Sequence, residues 1–154
     1  KHVNTHIIMN QYNNKQRLNE IIINISRSDN MNFRLKTSKQ TGEILKSLQN
    51  STGLTWNILS RIAVSLSLND ATEPPAVPDT AGVEIHRNAM TGDQDYVYKA
   101  LIRQHANRHV PDEEYFPELF NRHLERGIQI LEGEYRLAGN YEKLLATLLK
   151  HKIG

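Results

Sequence analysis

A mainly α-helical, single-domain fold is the architecture this sequence predicts, with one short strand–helix–helix unit at about residues 33–68. Three observations lead there. Apolar residues recur at helical spacing over most of the chain beyond residue 37, Gly and Pro mark the breaks between those runs, and strict apolar–polar alternation is confined to residues 33–37 and 82–87. A chain of 154 residues, 38% of them hydrophobic, is long enough to bury one modest core.

Residues 1–32 differ from the rest of the chain. They are rich in Asn, and their only apolar cluster is Ile21, Ile22, Ile23 and Ile25. They read as an extension or leader outside the core, with a natural start near Met31. The other reading is an arm using residues 20–25 as a short strand. The core is expected to occupy residues 33–154, as a basic strand–helix–helix unit (33–68), a Pro-rich linker (69–82) and C-terminal helices (83–154).

In the stretch from Phe33 to Thr37, alternation points Phe33 and Leu35 inward and Arg34 and Lys36 outward on a strand. Thr37 with Gln40 fits a capping box that opens a helix. On that helix Ile44, Leu45 and Leu48 form an apolar stripe opposite Lys39, Glu43 and Lys46. Gly53 suits a left-handed stop, and Thr55 suits the cap of a second helix reaching about Leu68. There Ile58, Leu59, Ile62, Ala63 and Leu66 share one side, while Val64 and Leu68 fall on the other. Two apolar sides predict two packing partners, so Val64 and Leu68 are the candidate oligomer interface. A basic strand, a helix, a Gly turn and a helix resemble the ribbon-helix-helix arrangement of DNA-binding proteins, although a helical hairpin in an ordinary core has the same spacing.

Beyond it, the prolines of residues 69–82 suggest a semi-rigid linker. Residues 82–87 alternate as a short strand before the turn-prone Thr91-Gly92. A helix capped by Asp93 or Thr91 is expected to run to about His109. Pro111 breaks it, and Pro117 opens another helix reaching about Ala138. Gly127 and Gly133 weaken that helix and suggest close approach to a neighbour. Gly139 ends it and Asn140 caps a last helix, with Leu144, Leu145, Leu148 and Leu149 apolar.

Charge is distributed unevenly. Residues 33–68 hold five Lys/Arg against one Glu, while residues 69–154 hold ten Lys/Arg against fourteen Asp/Glu. A basic lobe beside an acidic one fits a polyanion on one face. The candidate DNA contacts are Arg34 and Lys36 on the strand, Lys39 and Lys46 on the first helix, Thr55 and Asn57 at the next helix N-terminus, and Arg61 one turn on. A helix N-terminus presents free amides to phosphate, and cations there give affinity without sequence readout. Few aromatic residues accompany them, which favours duplex over single strands.

There is no cysteine, which excludes disulfides, thiolate metal sites and sulfur carriage by this chain. No apolar run approaches the ~20 residues that span a bilayer, and the chain reads as cytoplasmic without membrane association. His105 and His109 have the spacing of metal ligands on a helix, with Asp112, Glu113 and Glu114 close behind, but Ala106 stands where a zinc-hydrolase pattern places Glu. No phosphate loop, nucleophile elbow or dinucleotide fingerprint is present. No catalytic residue, metal or cofactor is assigned.

The run from Ser51 to Ala63 (STGLTWNILSRIA), the Pro-rich linker, Gly82-Val83-Glu84-Ile85-His86-Arg87 before Thr91-Gly92, and His123-Leu124-Glu125-Arg126-Gly127-Ile128 together resemble the DndE family of DNA sulfur modification proteins. The resemblance spans about residues 33–133. It implies a non-enzymatic component of the DNA phosphorothioation system that binds duplex DNA, nicked duplex in preference, through surface lysines, and assembles as a homotetramer. Its companions would be a cysteine desulfurase, an iron–sulfur sulfur-transferring protein and an ATPase. A ribbon-helix-helix transcription regulator, reading bases through Arg34 and Lys36, and a metal-dependent hydrolase built on His105 and His109 are the alternatives.

Overall fold

The computed structural model of this chain describes residues 13–23 and 33–150. The first described segment is helix α1, residues 13–23, so residues 20–23 are helical and not a strand arm; Ile25 and Met31 lie outside the described residues. On α1, Leu18, Ile21, Ile22 and Ile23 are exposed.

Residues 33–150 form the second unit, which is predominantly helical. Strand β1 (Arg34–Lys36) pairs antiparallel with β2 (Glu84–His86), in the register Arg34↔His86, Leu35↔Ile85 and Lys36↔Glu84. Leu35 and Ile85 are buried on the inner face, as alternation requires. Phe33 lies one residue before the strand and is 43% exposed, so the expected inward position is not taken.

Helix α2 (Lys39–Thr52) opens on Ser38 and not on Thr37. Ser38 Oγ accepts from the Thr41 amide at 3.1 Å, and Asp79 Oδ1 accepts from the Lys39 amide at 2.9 Å. Thr37 is instead taken up by the neighbouring strand, its hydroxyl accepting from the Val83 amide. The stripe of Ile44, Leu45 and Leu48 is buried, and Gly53 ends the helix at φ 75°.

Helix α3 (Trp56–Leu68) packs chiefly on α6 (Phe120–Ala138). Leu59, Ala63 and Val64 are fully buried, while Ile58 is 40% exposed. The two-sided expectation is thereby corrected. Val64 lies in this chain's own core and has no surface left for another subunit, and Leu68 is half-buried against that core. The α3–α6 contact is close because Gly127 has no side chain; a Cβ there would stand 1.8 Å from the Ala63 carbonyl oxygen. Gly133, on the same helix, faces open space.

Residues 69–83 are not a spacer between bodies. They form a strap without regular structure, fastened to α6 by arginines. Arg126 donates to the Ser67 and Thr72 carbonyls, each at 2.8 Å, and Arg122 donates to the Pro74 carbonyl and pairs with Glu73.

After β2 come the short α4 (Arg87–Thr91), one 3-10 turn (Gly92–Gln94) and α5 (Asp95–Ala106). Helix α5 stops three residues earlier than expected, where Asn107 takes a left-handed conformation. Pro117 lies within a wide π-type turn, Glu114–Leu119, that carries the non-helical Phe116. This turn brings Tyr115, Phe116 and Phe120 together with fully buried rings, and Tyr98 meets Phe120 edge-on at 5.9 Å. Gly139 closes α6, and Asn140 Oδ1 caps α7 (Tyr141–Lys150) at the Lys143 amide. Only Leu144 of α7 is fully buried; Leu145 and Leu149 are exposed.

Candidate nucleic-acid interface

The two-stranded ribbon has one wet face, on which the register collects Arg34, Lys36, Glu84 and His86. Glu84 pairs with Arg34 at 3.0 Å and lies 3.8 Å from Lys36, so one carboxylate is shared by two exposed cations. Such exposed pairs are worth about 0–1 kcal/mol and are screened by salt. The cations therefore remain exchangeable with phosphate. His86 joins this face through pairing, which the sequence alone does not display.

Lys39 and Lys46 are both exposed on α2. Seven positions separate them, two helical turns, so they share one side roughly 10 Å apart along the axis. Glu43 lies between them. Among the described residues, no carboxylate comes within ion-pair distance of either lysine.

The N-termini of α2 and α3 differ. At α2 the protein fills its own anion site. Asp79 takes the Lys39 amide, and the buried Glu125 accepts from the Ser38 amide (2.7 Å), the Ser38 hydroxyl (2.7 Å) and the Thr41 hydroxyl (2.6 Å). Backbone donors hold the Asp79 carboxyl below its usual range. At α3, Thr55 makes no side-chain cap; its hydroxyl bonds Asn57 Oδ1 instead. The first-turn amides of α3 are thus left without a side-chain acceptor among the described residues. Thr55 is exposed and Asn57 half-exposed at that end. Arg61 is drawn inward. Its Nε donates to the Met90 carbonyl at 2.7 Å, tying α3 to α4. Trp56 is half-buried and packs against the core.

The remaining charged constellations are fasteners. Arg87, 8% exposed, forms paired bonds with Asp95 (2.6 and 2.9 Å) and Asp112 (2.8 and 3.0 Å) over the rings of Tyr115 and Phe116. Lys99 adds a 2.6 Å bond to Asp112. Bonds to Arg87 hold Asp112 well below the usual carboxylate range. Burial works against ionisation of Asp95, yet bonds from Arg87 and Thr91 outweigh it and lower that carboxyl too. Both carboxylates are spoken for as ionised partners. The Tyr115 hydroxyl is raised by burial and by Asp95. His105 and His109 do not share a helix face, because α5 ends between them. His105 bonds the Asp70 carbonyl at 2.7 Å and meets the His123 ring edge-on at 4.7 Å. Among the described residues, no three His, Cys, Asp or Glu side chains cluster with metal-binding geometry. No described helix is long and apolar enough to cross a membrane.

Comparison with known proteins agrees with this architecture. The family model described as DNA sulphur modification protein DndE matches residues 34–139, from β1 to the glycine that closes α6. A crystal structure of DndE from Escherichia coli B7A, described as involved in DNA phosphorothioation modification, is 22% identical with a TM-score of 0.52. That match covers 62% of this chain and 94% of that one. A crystal structure of a DndE G21/24K mutant involved in DNA phosphorothioation is 20% identical with a TM-score of 0.52, covering 66% of this chain and 97% of the other. At these identities the structures establish a shared fold. No curated protein sequence matches this chain. With more than half of its length matched from β1 through α6, the chain belongs to the DndE family of DNA sulphur modification proteins.

Proposed function

We propose that this protein is a non-enzymatic, DNA-binding component of the phosphorothioate modification system, holding duplex DNA, nicked duplex in preference, through surface lysines. The observation that carries the reading is the exposed pair Lys39 and Lys46 on α2, neither held in an ion pair among the described residues, beside the cationic ribbon face and the uncapped start of α3. Without cysteine the chain leaves sulfur handling to other members of the system, in which a cysteine desulfurase, an iron–sulfur sulfur-transferring protein and an ATPase are its companions. Assembly as a homotetramer would multiply weak phosphate contacts by raising their effective concentration. Leu68 and the 41% exposed Leu101, which line one surface groove, are its candidate contact.

The test is fluorescence anisotropy with intact and nicked duplexes of one sequence. The double variant Lys36→Glu/Lys46→Glu should weaken binding by roughly tenfold or more while leaving the melting temperature unchanged, and affinity should fall steeply with salt. Unchanged affinity at low salt would refute the assignment. A ribbon-helix-helix regulator would show strong sequence preference against random duplex competitor; β1 here already pairs within its own chain, which disfavours a ribbon shared by two copies.

A further inference from the structure

Antiparallel pairing sets Glu84 directly across from Lys36 and one diagonal step from Arg34, with all three side chains on the wet face of the ribbon. Each carboxylate oxygen faces a different cation. Oε1 lies 3.0 Å from Arg34 Nη1, and Oε2 lies 3.8 Å from Lys36 Nζ. The two non-bridging oxygens of a phosphodiester offer the same pair of acceptors, so Glu84 fills a seat between two cations that suits a backbone phosphate.

Glu84 is held lightly, unlike the acid seated at the start of α2. Glu125 is 8% exposed and accepts three hydrogen bonds of 2.6–2.7 Å. The Glu84 side chain is 38% exposed, beside partners exposed by 49% and 58%. Exposed pairs of this kind are weak, and salt screens them. Glu125 is a permanent occupant and Glu84 an exchangeable one. While Glu84 stays in place, its single negative charge cancels one of the two positive charges of Arg34 and Lys36.

We propose that Glu84 regulates the proposed DNA face as a displaceable stand-in for phosphate, occupying the seat between Arg34 and Lys36 in the free protein and yielding it to a backbone phosphate when duplex DNA binds. This inference rests on the DNA-binding reading above and adds to it a residue that lowers affinity. A duplex exchanges one anion for another on the ribbon, so the ribbon contributes less than its two cations would alone.

Fluorescence anisotropy of Glu84→Gln with an intact duplex tests it. Glutamine keeps the side-chain length and removes the charge, so binding should tighten by about fivefold or more at low salt. The slope of log affinity against log salt should steepen by about 0.9, the value of one further phosphate contact. The melting temperature should stay at the parent's, because the pairs are weak. Glu142→Gln, the same charge change at an exposed position of α7, should leave affinity and slope near the parent's. In an Arg34→Gln/Lys36→Gln background the gain from Glu84→Gln should vanish, because the seat is gone. Parent-like affinity and slope in Glu84→Gln would overturn the inference, as would an equal gain from Glu142→Gln or a gain that survives without Arg34 and Lys36. The Lys36→Glu/Lys46→Glu variant keeps the two readings apart: if it weakens binding while Glu84→Gln changes nothing, the DNA face stands and the role of Glu84 falls. A parent protein that binds no duplex at low salt removes both.

Discussion

Gly127→Ala is the sharpest test of the packing that carries the basic lobe. An alanine Cβ at this position would stand 1.8 Å from the Ala63 oxygen, 2.3 Å from its carbonyl carbon and 3.0 Å from its Cα. All three atoms are backbone, so no rotamer change relieves the clash. Ordinary contact requires α3 and α6 to part locally by about 1.5 Å, opening a fully buried seam that includes Leu59, Ala63, Leu124 and Ile128. Overpacking of this kind costs about 1–3 kcal/mol, and rigid partners on both sides put the cost at the upper end. Replacing a helical Gly returns about 1 kcal/mol, leaving a net loss of about 2 kcal/mol or more. Gly133→Ala is the internal control: it lies on the same helix and the same propensity applies, but a Cβ meets nothing within 4 Å. It should stabilise by up to about 1 kcal/mol. Urea denaturation of both variants measures the contrast. A Gly127→Ala protein as stable as the parent, or an equal response at both positions, would refute the close-approach argument.

Two further predictions concern buried charge. Arg87→Gln strands Asp95 beside the Tyr115–Phe116 rings, and a loss of about 2–3 kcal/mol is expected in denaturant melts, reduced from a fully buried pair because Asp112 is partly exposed and keeps Lys99. His123 sets a pH dependence: its folded pKa, down at about 3, lies below the ordinary 6.5, so the unfolded chain binds the extra proton. Stability is then full above about pH 6.5 and declines as pH falls, by up to about 1.4 kcal/mol per unit. Melts between pH 7.5 and 5 should show that slope in the parent, and His123→Gln should flatten it.

The sequence displayed whatever depends on near neighbours. The α2 stripe, the stop at Gly53, the cap at Asn140 and the alternation around Leu35 and Ile85 are all local, and all are found. What it concealed depends on partners far along the chain. Ser38 won the cap over Thr37 because Thr37 is occupied by Val83, 46 residues away, and because Glu125, 87 residues away, binds Ser38 directly. Val64 looked peripheral because α3 was weighed against one neighbour, whereas the buried side of α3 is widened by Gly127 on α6 and by the serines Ser60 and Ser67. The strap looked like a linker because prolines dominate its composition, while the arginines that fasten it lie on another helix. One signal was available for Glu125: it sits among Leu124, Gly127 and Ile128 on the apolar stripe of α6, where a carboxylate requires a partner.

The same long-range contacts decide which helix end is open to a phosphate. Glu125 reaches α2 only because α6 lies close against α3, and that approach depends on Gly127. With Glu125 and Asp79 seated, the Ser38 and Lys39 amides at the start of α2 are already satisfied and are not offered to a phosphate. The start of α3 has no such occupant among the described residues, since Thr55 turns to Asn57. Helix α2 can therefore contribute to the proposed DNA face only through Lys39 and Lys46 along its side, and α3 through its amides at the end. The core packing thus sets the polarity of the surface. A variant that parts α3 from α6 should lose DNA affinity along with stability even though neither Gly127 nor Glu125 would touch the duplex.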